Sequence, residues 1–257
     1  MAADYSKCWA NALGDCAGGM TLEHLISRNQ FGNTTVSVQG YPWCKDEPRT
    51  VGIGGVAARI LCARHNNTTS PLDDAAGATL GALRLMMERA DSMKAGGPRP
   101  PRRTIRISGD HLERWLLKTT INLALQARPA PTGGIFDDTG KPARRFIDIV
   151  YGRTLFAPEE GLTWVVQVGE QIAHNQQGTI AFQTWLQKDD NALVAAFLGF
   201  HGYRLWLATV DAPKIEHGMH PVRRFHAQDV DVVIEFEWSK RRNRQLLALA
   251  AKDGPGG

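Results

Sequence analysis

Two short stretches of this chain carry side chains able to do chemistry together: Glu23 and His24 in the first, Cys62, His65 and Asn66 in the second. A carboxylate is a hard oxygen ligand suited to magnesium or manganese. An imidazole titrates close to physiological pH and is a natural general base. A carboxamide adds a neutral oxygen. Gathered around one pocket, these groups supply what phosphodiester hydrolysis requires: a base for the attacking water and positive charge for the leaving oxygen. A magnesium or manganese ion held only by Glu23 and Asn66 would keep positions open for phosphate oxygens and water.

The two stretches are far apart in sequence, so something must bring them together. Cys8 with Cys16, and Cys62 with His65, are two candidate ligand pairs for one tetrahedral zinc. The Cys62/His65 spacing lets a loop or first helical turn present both ligands at once. The wider Cys8/Cys16 interval calls for a small loop. Cys44 is a spare, able to replace Cys8 or His65 or to stand apart as an unrelated thiol. The bland alternative is that the cysteines are small buried hydrophobes and His65 a hydrogen-bonded surface residue. Residues 1–70 show only short apolar runs, and a structural metal is what holds such a segment together.

The elements that must position these groups are partly legible. Residues 20–22 read as a short strand running into Glu23, with β-branched residues 34–38 as its hairpin partner. Extended backbone would send Glu23 and His24 to opposite faces, so a shared site needs the strand to end or bend there. Residues 56–62 favour either helix or strand. Ser70, Pro71 and Asp73 open a helix, with Ser70 as cap, running to about residue 90. Leu80, Leu83, Met87 and Ala90 give it one apolar face. Ser108 caps a second helix with a buried stripe of Leu112, Trp115, Leu116, Thr119, Leu123 and Ala127. Between the two helices, residues 95–103 read as a linker. Strands follow at 163–168, 179–185, 193–200, 203–210 and 231–238, with a hairpin turn at 200–203. The fold class expected is α+β: an N-terminal zinc-bound ββα-metal module over residues 1–75, a helical region over 76–130, and a β-rich C-terminal region over 131–257.

The first module resembles the HNH, or His-Me finger, endonuclease family. Residues 21–26 (TLEHLI) match the acidic-His pair that ends the first strand of that family's hairpin. Residues 61–66 (LCARHN) match its Cys-x-x-(Cys or His) pair, which begins a helix, followed by the residue that completes the site. Asparagine at that last position is similar to the branch that includes the phage Holliday-junction endonuclease. The resemblance covers about residues 5–75. It implies a structural zinc, a catalytic magnesium or manganese held by Glu23 and Asn66, and His24 as general base. For the family's middle asparagine, which orients the base, Asn33 and Asn29 are both candidates.

Composition is consistent with this reading without requiring it. The chain has 257 residues, is 43% hydrophobic and 22% charged, and carries a formal net charge of +4 with a sequence pI near 9.0. A mildly basic balance fits a nucleic-acid partner, DNA being the expectation, and equally fits an ordinary basic surface. No run of about 18 apolar residues is present to span a membrane, and no secretory signal is visible. Four cysteines are too few for a disulfide scaffold, so the cytoplasm is the expected compartment. Trp164, Trp185, Trp206 and Trp238 fall in predicted strands and are expected to pack. His217 and His220 have metal-pair spacing but read as unrelated. Basic clusters at Arg99, Arg102 and Arg103, at Arg144 and Arg145, at Arg223 and Arg224, and over residues 240–244 are candidate phosphate contacts. Two rivals stand beside the nuclease reading: a zinc-containing nucleic-acid- or protein-binding module that does not cut, and a sensor or assembly protein whose function lies in the C-terminal region.

Overall fold

The computed structural model describes residues 4–30, 35–38, 47, 49–127, 129–165, 180–187, 191–200, 203–209, 211–213, 215 and 218–252. It is a mixed α+β fold, and its elements in chain order are β1 (Met20–His24), β2 (Thr35–Val38), β3 (Arg49–Gly52), β4 (Ala57–Cys62), α1 (Ala63–Thr68), α2 (Ser70–Lys94), β5 (Arg103–Ser108), α3 (Gly109–Ala124), α4 (Arg144–Val150), β6 (Gly161–Val165), β7 (Ile180–Leu186), β8 (Leu193–Phe200), β9 (Tyr203–Ala208), β10 (Gly218–Met219), β11 (Arg224–Ala227), β12 (Val232–Glu237) and α5 (Lys240–Lys252).

The N-terminal pairing differs from expectation. β1 pairs antiparallel with β4, while β2 takes β3 as its partner. The reason is that β4 delivers Cys62 alongside Met20, closing the loop from Cys8 to the start of α1. Residues 56–62, open between helix and strand in sequence, are therefore mostly strand. The helix predicted from Ser70 begins there, but Thr69 is its cap residue, so Ser70 lies inside the first turn. Pro71 and Asp73 in that turn suit its unpaired N–H groups and positive dipole end. Ser108 does cap α3, accepting from His111 N at 3.2 Å.

The C-terminal strands form a five-stranded antiparallel sheet in the order β10-β6-β9-β8-β7. Phe200 and Tyr203 pair across the predicted turn, whose residues 201 and 202 lie outside the described residues. A three-stranded sheet, β11-β12-β5, joins residues 103–108 in parallel to residues 232–237. The sequence linker thus ends inside a strand. One buried apolar cluster draws residues from each third of the chain: Leu61 and Leu72, Trp115 and Leu116, Trp164 and Ile234. Trp164 and Trp206 are buried, as expected; Trp185 is exposed.

Helix α3 lies at the centre and is buried on nearly every side. A helix covered all round is ordinarily apolar, yet this one buries Glu113, Lys118 and Asn122. Each therefore needs a partner. Glu113 Oε2 meets Arg242 Nη2 of α5 at 3.1 Å, and both side chains are almost wholly shut from solvent. The guanidinium also donates to Phe156 O, Ala157 O and Glu160 O. Gly161 passes so close, at φ +106, that a Cβ there would lie 2.4 Å from Glu113 Oε2.

Burial pushes the Glu113 carboxyl up to about 7 from its ordinary 4.5, with Arg242 pulling the other way. The native state thus binds this proton more tightly than the unfolded chain. The associated stability is fully present below about pH 4.5 and is lost as pH rises through about 7. Urea unfolding at pH 5 and pH 8 is expected to show a fall on the order of 3 kcal/mol. Glu113→Gln should flatten that dependence; an unchanged slope in the variant would remove Glu113 as its source.

Candidate metal centre and active site

The N-terminal loop reaches the β4–α1 junction through its backbone. Trp9 N donates to Ile60 O at 3.0 Å, and Ala63 N and Arg64 N donate to Gly19 O and Ala17 O at 2.8 and 3.2 Å. Between Cys8 and Cys16 a single 3-10 turn (Asn11–Leu13) closes on Gly14 in the left-handed region. This is the small loop that the wide cysteine spacing requires.

The result is a cluster of Cys8, Cys16, Cys62 and His65 whose ligand atoms all lie within 4.8 Å of one another. The imidazole Nδ1 stands 3.3, 3.5 and 3.2 Å from the sulfurs of Cys8, Cys16 and Cys62. Zinc–sulfur and zinc–nitrogen bonds of about 2.3 and 2.0 Å at a tetrahedral angle imply a separation of about 3.5 Å, so donor set and spacing fit a structural zinc. The outer shell fits as well. Asp15 Oδ1 lies 2.9 Å from His65 Nε2, the carboxylate arrangement that orients a ligating imidazole. Cys62 N points at Cys8 Sγ, and Tyr151 Oη donates to His65 O at 3.2 Å. Burial and the neighbouring Cys8 and Cys62 push the Cys16 thiol up to about 12 and burial raises that of Cys8, while Cys62, against its burial, is drawn below its ordinary value by backbone hydrogen bonds from His65 and Ala17. A bound metal supplies the positive charge that lets such thiols ionise. Cys44 lies outside the described residues.

The same strand pair fixes the candidate catalytic groups. β1 carries a register shift between Thr21 and Glu23 and ends at His24. Asn66, on the first turn of α1, donates to Thr21 Oγ1 at 3.1 Å and to Leu22 O at 3.4 Å. It is therefore held against β1 one residue short of Glu23. His24 is half-buried, and among the described residues none hydrogen-bonds its ring. Burial, then Arg28, holds its pKa below the usual 6.5, with Asp73 opposing. The imidazole is thus neutral and basic near neutral pH.

Glu23 turns the other way, into the core, where it is 4% exposed. Lys118 Nζ stands 2.8 Å from its Oε1, and Asn122 Nδ2 donates to the same oxygen at 3.3 Å. Burial raises the carboxyl above its ordinary range despite Lys118. The divalent-ion site expected at Glu23 and Asn66 does not fit this arrangement. A catalytic magnesium or manganese needs oxygens open to water and substrate, and the Glu23 carboxylate is closed off and shared with an ammonium. Among the described residues, the Cys3His cluster is the only group of three or more His, Cys, Asp or Glu side chains that converges closely enough for an ion.

Lys118 is the residue at the candidate site that the sequence reading leaves out. Its Nζ also meets Asp73 Oδ1 and Oδ2 at 2.9 and 3.0 Å and Thr69 Oγ1 at 3.3 Å. The available signal was its place at helical spacing between Trp115 and Asn122, on a face otherwise read as core. Of the two candidates for the middle asparagine, Asn33 lies outside the described residues. Asn29 donates to Asp73 O at 2.9 Å, packing where a Cβ on Gly77 would come within 2.8 Å of it.

Elsewhere, His220 is spent on the carbonyls of Leu162 and Pro158, and His217 is outside the described residues. Several basic clusters are paired: Arg99 with Asp231, Arg144 with Asp148, Arg145 with Glu160, Arg224 with Glu235. Among the described residues no helix is long and apolar enough to cross a membrane. No protein-family model matches the chain, and no curated protein or solved structure shows detectable similarity to it.

Proposed function

We propose that this chain is a zinc-clasped endonuclease of the HNH type that hydrolyses phosphodiester bonds in DNA, with His24 as general base. The observation that carries the reading is the β1–β4–α1 unit. Four candidate zinc ligands meet at its β4–α1 junction, and the same junction ties Asn66 to β1 at Thr21 and Leu22, two residues before His24, whose half-buried ring takes no hydrogen bond from described residues. His24 would accept the proton of a water as that water attacks phosphorus, the bond from phosphorus to the leaving deoxyribose oxygen would break, and that oxygen would take a proton from solvent. The net charge of +4 favours approach of a polyanion.

The closed ion pair of Glu23 favours a second reading, a zinc-containing module that binds nucleic acid without cutting it. One assay separates the two. Zinc-loaded protein is incubated with supercoiled plasmid in magnesium, in manganese and in EDTA. The nuclease reading expects nicked or linear product in at least one condition. Intact plasmid throughout, with a retained mobility shift, would reject hydrolysis in favour of the binding module.

A further inference from the structure

We infer that Lys118 is the resident cation of this centre: its ammonium stands at Glu23 where the HNH resemblance puts a divalent ion, and Glu23 anchors β1 instead of ligating metal. This rests on the reading of the β1–β4–α1 unit as a phosphodiester-hydrolysing centre.

The geometry is that of a filled cation site. The Lys118 side chain is 1% exposed and reaches two carboxylates, Glu23 at 2.8 Å and Asp73 at 2.9 Å. With Thr69 Oγ1 at 3.3 Å, three acceptor groups surround an ammonium that has three N–H donors. A divalent ion at Glu23 would take from this buried ammonium one of its two carboxylates and set a second positive charge beside it, a penalised exchange in the interior.

The surrounding bonds tie the pair to both sides of His24. Asp73 Oδ1 also accepts from Ser27 Oγ, and Ser27 Oγ accepts from Trp115 Nε1 at 2.8 Å. Asn122 holds Glu23 with its nitrogen, while its oxygen accepts from Trp9 Nε1 at 3.1 Å, next to the zinc ligand Cys8. Residue 23 is thus pinned to α3 and residue 27 to both α2 and α3, with His24 between them. Lys118 touches neither water nor substrate from its buried place; it is a positioning residue.

The test is manganese binding, followed by calorimetry and electron paramagnetic resonance on the zinc-loaded full chain without DNA. Glu23→Gln keeps an oxygen for Lys118, and its manganese affinity is expected to match that of the unmodified protein. Lys118→Met leaves two carboxylates facing one another without their cation. It is expected to bind manganese about tenfold or more tightly than the parent, a gain of the size that ligand-shell changes produce, and the added Glu23→Gln change should abolish that gain. A tenfold loss of manganese affinity in Glu23→Gln alone would overturn the inference, as would a folded Lys118→Met protein that gains nothing. Should Lys118→Met fail to fold, the comparison of Glu23→Gln with the parent decides. Because no DNA is present, the outcome is separate from the plasmid assay. Cutting with Glu23-dependent manganese binding keeps the nuclease and removes Lys118 from this role. Glu23-independent binding without cutting does the reverse.

Discussion

Cys62→Ser is expected to release the zinc and unfold the N-terminal unit. Cys62 is wholly buried, ends β4, starts α1, and directs its N–H at Cys8 Sγ. It would therefore join a bound metal to the strand pair and to the helix carrying Asn66. A structural zinc contributes on the order of 10 kcal/mol to the folding of a small metal-held segment, comparable to the whole stability of a typical domain at about 5–15 kcal/mol. Apart from the metal the loop over residues 4–19 buries only Cys8, Trp9 and Ala10, and it is tied on by a few backbone bonds, the Trp9–Asn122 bond and the contacts of Asp15 with His65, Arg64 and Arg153. Elemental analysis should show one zinc per chain in the parent and little in the variant. Limited proteolysis should open the variant within residues 4–70. A variant that stays protease-resistant with no zinc in either protein would mean that packing alone holds these thiols together.

The second large effect is on chemistry. His24→Ala is expected to reduce plasmid cutting by about 10²–10⁴-fold, the range associated with a positioned general base, while zinc content and melting temperature stay close to those of the parent. The structural side should be mild because the imidazole is half-buried and makes no hydrogen bond with a described residue. The pH profile gives an independent check. Burial and Arg28 favour the neutral ring, with Asp73 partly offsetting them. The acid limb of the cutting rate should accordingly lie below the 6.5 of an ordinary histidine. Cutting by His24→Ala at the parent's rate would assign the base elsewhere.

Sequence alone determined the parts that local chemistry specifies. Cys62 and His65, three residues apart, were readable as a ligand pair because the first turn of a helix presents both, and α1 begins there. Ser108 is readable as a cap and the 193–200 and 203–210 stretches as a strand hairpin, because capping and β-alternation act over a few residues. Only the tertiary structure decided which strand pairs with β1, since β4 and β2 are both acceptable partners locally and the choice follows from closing the Cys8–Cys62 contact across 54 residues. It also decided the direction of Glu23. Adjacent residues of a strand face opposite ways, but which face meets the core depends on α3 lying behind β1. There Lys118, spaced like a core residue, offers the buried carboxylate an ammonium. The partner of a buried charge is selected by packing between distant segments, and nothing in the neighbourhood of Glu23 along the chain encodes it.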